Sequence, residues 1–161
     1  MTVWVYGDHI NTDVLFPGRY TYTCSTPEDI LPHLLEDLDP AFAKNAQAGD
    51  IILAGENFGC GSSREQPAVG LKALGITIIA KSFSRIFYRA AVNQGLIAIE
   101  CPAAVQACHP GVSVKVDLSA AMIYIGEESF SFPPLPGEIL EIHRAGGLLP
   151  YVRQVLQKER T

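Results

Sequence analysis

The sequence predicts an α/β fold: a single domain over residues 1–161, with parallel core strands and additional antiparallel strands. Three observations support this. Residues 50–99 alternate short β-branched runs (DIILA, ITIIA, LIAI) with helix-length stretches, the pattern of strands joined by crossover helices in a parallel sheet. After Pro110-Gly111 the pattern changes to three short, closely spaced strands, which favours antiparallel pairing. The chain has 161 residues, 48% hydrophobic and 18% charged, enough apolar material for one core and too much for disorder.

The elements follow in order. Residues 3–6 (VWVY) read as a first strand. The next stretch, GDHINTDVLFPGRY, is a polar loop too long for a simple turn, and such loops are often functional. Thr26-Pro27-Glu28-Asp29 starts a helix, with a capping hydroxyl, proline in the first turn and acids at the positive end of the dipole. Pro32 kinks or delays that helix. Asp39-Pro40 opens a short helical stretch to Ala46.

Residues 50–54 form a buried strand, and a glycine-rich loop leads into a helix over residues 64–74 with Gly75 as its stop. Strand 76–80 follows, then a helix capped by Ser84 and ended by Gly95, then strand 96–99. Residues 112–117, 122–125 and 129–132 are the antiparallel strands, and residues 138–144 and 148–157 are helices separated by Ala145-Gly146-Gly147.

Several function classes are excluded or disfavoured. A net charge of −5 argues against a nucleic-acid partner, which needs a basic face. No apolar run approaches the roughly 18 residues of a membrane span. The opening MTVWVYGDHI lacks the basic start and apolar stretch of a secretory leader, so the expected compartment is the cytoplasm. Cys24, Cys60, Cys101 and Cys108 form no CxxC pair or tight cluster, so no metal or iron–sulfur site is expected within this chain.

The loop GENFGCGSSREQ, residues 55–66, holds the chemistry. It lies where ligands bind in open α/β sheets, at the carboxyl end of a strand. The free N–H groups and dipole of the following helix favour an anion there. Gly59 and Gly61 permit close backbone approach to a ligand, Ser62 and Ser63 add hydroxyls, and Arg64 adds a bidentate fork. The competing reading is a capped helix after a glycine turn, with Ser62 or Ser63 as cap and Glu65 completing a capping box. The spacing fits neither a P-loop nor GxGxxG. A Cys60 nucleophile would need His9, His33, His109 or His143 to arrive through folding.

GENFGCGSSREQPAVGLKALGI, followed by AKSFSRIFYRAAVNQGL, resembles the small subunits of 3-isopropylmalate dehydratase and homoaconitase, the swivelling domain of the aconitase superfamily. The opening GDHINTDVLFPGRY and the closing RAGGLLPYVRQVL are similar to that family too, so the resemblance spans nearly the whole chain. It implies a single swivelling β/β/α domain of aconitase type, and a hydro-lyase subunit that isomerises a small hydroxy-dicarboxylate by dehydration and rehydration, in leucine and branched-chain amino-acid synthesis. The implied partner is a large iron–sulfur subunit carrying a [4Fe-4S] cluster, without which this chain is catalytically silent.

By the same resemblance Ser62 is the catalytic base, acting as an alkoxide stabilised by helix N–H groups and Arg64. Ser63, Arg64 and Arg19 contact substrate carboxylates. An aspartate of the opening loop, Asp8 or Asp13, supports a histidine of the large subunit; ordinary loop capping is the alternative for both. Arg85 and Arg89 share a helix face and are expected either to meet an anionic partner or to form an ion pair within the chain. Relatives read REHA or REQA after the serines; Gln66-Pro67 stands here, and Pro67 fits a first helical turn.

Relatives select substrate through a segment that reads Tyr20-Thr21-Tyr22-Thr23 here, within a stretch (residues 20–30) expected to be mobile. Tyr22 occupies the place of an arginine in homoaconitase types. A third carboxylate needs a cation, because an unpaired buried charge is costly. Tyr22 suits a branched alkyl group instead, which favours 3-isopropylmalate. Homoaconitate, a methylmalate (citramalate or dimethylmalate), and a non-catalytic binding module remain the alternatives.

Overall fold

The computed structural model describes residues 1–109 and 111–159. Four parallel strands, β1 (Val3–Val5), β2 (Ile51–Ala54), β3 (Thr77–Ala80) and β4 (Ile97–Glu100), lie side by side in sequence order. Val5 stands opposite Leu53, Leu53 opposite Ile79 and Ile79 opposite Ile99. All four β2 residues are buried, as expected of a parallel strand covered on both faces.

Strand periodicity divides the core into two. Ile52, Ala54, Ile78 and Ala80 face a cluster with Leu15, Phe16, Phe42, Phe58, Leu71 and Phe87. Ile51, Leu53, Ile79 and Ile99 face a second, with Ala104, Val114, Ile123, Ile125 and Phe132. The first cluster belongs to the helical layer: α1 (Thr12–Leu15), α2 (Pro27–Ile30) and α3 (Phe42–Asn45) between β1 and β2, then α4 (Gln66–Ala73) and α5 (Arg85–Gln94). The second joins the parallel sheet to α6 (Pro102–Ala107) and to an antiparallel sheet of β5 (Val114–Asp117), β6 (Met122–Ile125) and β7 (Glu128–Ser131). Helices α7 (Gly137–Ala145) and α8 (Leu148–Glu159) pack on α5. The layering is the expected β/β/α arrangement, and burying each large apolar side chain contributes about 1.5–3 kcal/mol.

Local signals set most boundaries. Thr26 caps α2 in a reciprocal capping box with Asp29. Pro32 diverts the chain into a 3-10 turn at Leu31–His33. The Ser84 hydroxyl accepts from Phe87 N at 3.2 Å, and left-handed Gly95 closes α5. Buried Asp50 anchors the start of β2: its carboxylate accepts from Thr2 N, from Trp4 Nε1 at 3.1 Å and from Gln47 N at 3.0 Å.

Three expectations need correction. The stretch after β1 is not simply a loop: Asn11 Oδ1 accepts from Val14 N at 2.9 Å and starts α1, and a 3-10 turn follows at Gly18–Tyr20. Helix α4 begins two residues later than predicted, with Glu65 at the cap position and no side-chain cap, because Ser62 is engaged elsewhere. Helix α6, with Pro102 in its first turn, went unpredicted; six residues hold too few apolar positions for a period to show. Of the predicted Pro110-Gly111 break, Pro110 lies outside the described residues.

Candidate active site

The site is built at the carboxyl rim of β1 and β2, where their parallel pairing continues into the segments that follow. Gly55 N donates to Gly7 O at 3.0 Å, His9 N to Glu56 O at 2.8 Å, Gly59 N to Ile10 O at 2.7 Å, and Thr12 N to Cys60 O at 2.7 Å. This ladder brings Thr12 beside the end of the glycine loop. Gly61, at φ +109°, is required by that contact: a Cβ there would lie 2.9 Å from Thr12 Oγ1. Gly59, at φ +75°, would place a Cβ 2.1 Å from the Phe87 ring. The glycines thus make room for the protein's own chain, where the sequence suggested room for a ligand.

Thr12, Ser62 and Arg64 form one hydrogen-bonded group. Thr12 is 1% exposed; its Oγ1 accepts from Ser62 N at 2.9 Å and lies 2.9 Å from Ser62 Oγ. Arg64 Nε donates to the same Ser62 Oγ at 2.9 Å. Either hydroxyl can donate in the Thr12–Ser62 contact, but once Ser62 Oγ has lost its proton the Thr12 hydroxyl must donate, so a deprotonated Ser62 Oγ sits between two donors. That arrangement favours negative charge on the oxygen. Of the helix N–H groups and Arg64 expected around this oxygen, the Arg64 guanidinium is in place and the helix N–H groups are not, because α4 starts beyond Ser62; the Thr12 hydroxyl is the second partner.

Arg64 also organises the surroundings. Its Nη1 donates to Thr21 Oγ1 at 2.8 Å, and its Nη2 pairs with Asp13. One N–H on each terminal nitrogen is left over, a fork suited to a carboxylate. The Arg64 side chain is 16% exposed and that of Asp13 66%, while Gly61 and Ser63 are exposed, so the group opens to the surface. An open depression lined by Thr21, Cys24, Ser25, Glu65, Gln66 and Val69 adjoins it.

The other expected residues are placed as follows. Ser63 makes no side-chain hydrogen bond among the described residues. Exposed Asp8 accepts from Glu56 N at 2.7 Å and steadies the loop entrance; Asp13 is the aspartate joined to Arg64. Tyr22 is 99% exposed at the rim, and Thr23 Oγ1 donates to Tyr20 O at 3.3 Å. Tyr20 stacks on His33, and Arg19 is engaged by Glu36 and Asp37 away from the Ser62 group. Arg85 and Arg89 are exposed and, among the described residues, have no acidic partner, so the ion pair expected of them does not form. Cys60 Sγ contacts the His9 carbonyl at 3.6 Å, and the His9 ring nitrogen Nδ1 faces Asn57. Among the described residues no group of three or more His, Cys, Asp or Glu is placed to hold a metal ion. Sequence reasoning missed Thr12, whose only signal is a hydroxyl beside Asp13 in the opening loop.

Comparison with known proteins agrees with this architecture. Residues 17–104 match the family described as the Aconitase C-terminal domain. The 3-isopropylmalate dehydratase small subunit of Caldicellulosiruptor bescii is 46% identical over 157 residues, covering 96% of this chain and 94% of that one. The 2,3-dimethylmalate dehydratase small subunit of Eubacterium barkeri is 43% identical over 154 residues, covering 94% of each. The crystal structure of 3-isopropylmalate dehydratase (LeuD) from Methanocaldococcus jannaschii superposes with a TM-score of 0.88 at 38% identity, covering 99% of this chain and 97% of that one.

Proposed function

This chain belongs to the aconitase C-terminal domain family, among its dehydratase small subunits, and on that premise we propose that it is the small subunit of a 3-isopropylmalate dehydratase. It interconverts 2- and 3-isopropylmalate together with a large iron–sulfur subunit. A [4Fe-4S] cluster on that subunit supplies the Lewis acid for the departing hydroxyl, and no residue of this chain is assigned to hold it.

Ser62 is the base. It removes the proton from the carbon beside a substrate carboxylate, and the proton is then held on Ser62 Oγ. An alkoxide is a strong base that water would protonate, so it needs donors fixed before the reaction. The observation that carries this reading is the pair of partners on Ser62 Oγ, Arg64 Nε donating at 2.9 Å and the Thr12 hydroxyl at 2.9 Å, which donates once Ser62 Oγ is deprotonated. Arg64 and Ser63 bind a carboxylate, and Asp13 orients the Arg64 fork. Asp8 holds the loop entrance through Glu56 N.

Thr21, Tyr22 and Thr23 form the rim that meets the substrate's variable group. None of them is cationic, and this favours an alkyl group over a third carboxylate. A smaller alkyl group is the second reading, supported by the 43% identity to a small subunit named for 2,3-dimethylmalate.

The test is co-expression with the cognate large subunit and assay on 3-isopropylmalate, 2,3-dimethylmalate and homoaconitate. The expected result is highest kcat/KM on 3-isopropylmalate, with Ser62→Ala abolishing turnover while the two subunits still co-purify. Preference for homoaconitate, or full activity in Ser62→Ala, would refute the assignment.

A further inference from the structure

The rim that carries Thr21, Tyr22 and Thr23 is anchored on both sides. Toward the site, Thr21 Oγ1 accepts from Arg64 Nη1 at 2.8 Å, and Gln66 Nε2 donates to Thr21 O at 3.3 Å. On the other side stands a cluster the proposed chemistry does not use. Arg19 Nη1 and Nη2 each donate to one Asp37 carboxylate oxygen at 2.8 Å, a bidentate pair, and Nη2 also pairs with Glu36. The Glu36 carboxylate meets His33 Nδ1 at 2.7 Å. Burial alone would raise the Glu36 carboxyl, but hydrogen bonds led by that from His33 hold it below its ordinary range. The Tyr20 ring is stacked on His33 at 3.8 Å between centroids, with the Arg19 guanidinium 4.9 Å from its own centroid.

Two features give this cluster a role beyond surface pairing. Leu35, fully buried immediately before the acids, is held at φ +54°, a costly conformation for a residue other than glycine. Its N–H is tied to Leu15 O at 3.0 Å, so the acidic segment is fixed to the core. The rim's own amides bond only locally: Thr21 N to Gly18 O, Thr23 N to Tyr20 O and Cys24 N to Tyr20 O. A segment whose amides bond only locally opens readily unless side chains anchor it.

The geometry points to Arg19, Tyr20, His33, Glu36 and Asp37 as a positioning clamp that fixes the substrate-selecting rim and, through Thr21, the aim of Arg64. Arg19 then acts on substrate through the rim and not by touching a carboxylate. This rests on the proposed dehydratase reading only for its catalytic consequence. Single exposed ion pairs are weak, but a bidentate pair within a network holds more firmly, and losing it should change rim opening about three- to tenfold.

Hydrogen exchange on the full chain tests the clamp without activity. Arg19→Ala and Asp37→Ala should each speed exchange at the amides of Thr21, Thr23 and Cys24 by about three- to tenfold and leave Ile52 and Ile78 unchanged. In the reconstituted complex each variant should raise KM by a similar factor with kcat nearly unaltered. The double variant should be no worse than either single one, since both remove the same pair. Unchanged exchange overturns the clamp, and so does an unchanged KM in both variants. A kcat loss in Arg19→Ala with Asp37→Ala neutral would instead make Arg19 a direct substrate ligand. If the wild-type complex turns over no isopropylmalate, the proposed function falls while the exchange measurement still judges the clamp.

Discussion

Replacing buried Thr12 with valine tests the site through a substitution that changes little volume. The hydroxyl lost accepts from Ser62 N at 2.9 Å and lies 2.9 Å from Ser62 Oγ. Two costs follow. The Ser62 amide loses its partner beside a half-buried side chain, which destabilises the fold by about 1–2 kcal/mol. The serine oxygen also loses one of two donors at the moment it carries charge. Removing one preorganised donor from an oxyanion costs about 10²–10³ in kcat, or about 2.7–4 kcal/mol. Activity should therefore fall far more than stability, with KM little changed because the Arg64 fork remains. Thr12→Ser keeps the hydroxyl and should recover most of kcat. The assay is steady-state kinetics of the reconstituted complex alongside urea titration of the chain alone. A Thr12→Val complex within threefold of wild-type kcat would refute the donor argument, as would a kcat loss fully accounted for by unfolding.

Further outcomes concern the scaffold. Asp50→Asn should destabilise the chain by about 2–4 kcal/mol at neutral pH, since a charged acceptor of three N–H donors is replaced by a neutral amide. Burial pushes the Asp50 carboxyl up, but the bonds from Thr2, Gln47 and Trp4 outweigh it and hold it below the ordinary range. Its contribution is thus full above the ordinary carboxylate pKa and disappears as pH falls through the lower folded value. The gap between wild type and Asp50→Asn in denaturant titrations should shrink on acidification, and a gap that widens would contradict this. Gly59→Ala forces a Cβ to within 2.1 Å of the Phe87 ring at φ +75° and should cost about 2–5 kcal/mol, read as a lower denaturation midpoint.

Much of the fold was legible because its signals are local. β-branched runs bounded by glycine marked β2, β3 and β4, and Thr26, Ser84 and Gly95 marked helix ends where a neighbour three or four residues away supplies the partner. Helix α1 was missed because Asn11 and Thr12 read equally well as loop or cap. The glycine loop identified Ser62 and Arg64, but not what they touch.

The residues alone therefore determined the layered α/β architecture and a hydroxyl–guanidinium group at a strand's carboxyl end. Only the folded chain decided which polar atoms meet: Thr12 with Ser62, Asp13 and Thr21 with Arg64, and Asp37 with Arg19. The reason is that a side-chain hydroxyl or carboxylate carries no record of a distant partner. That choice is made by the parallel register of β1 on β2, which extends the two chains together until residue 12 lies against residue 62.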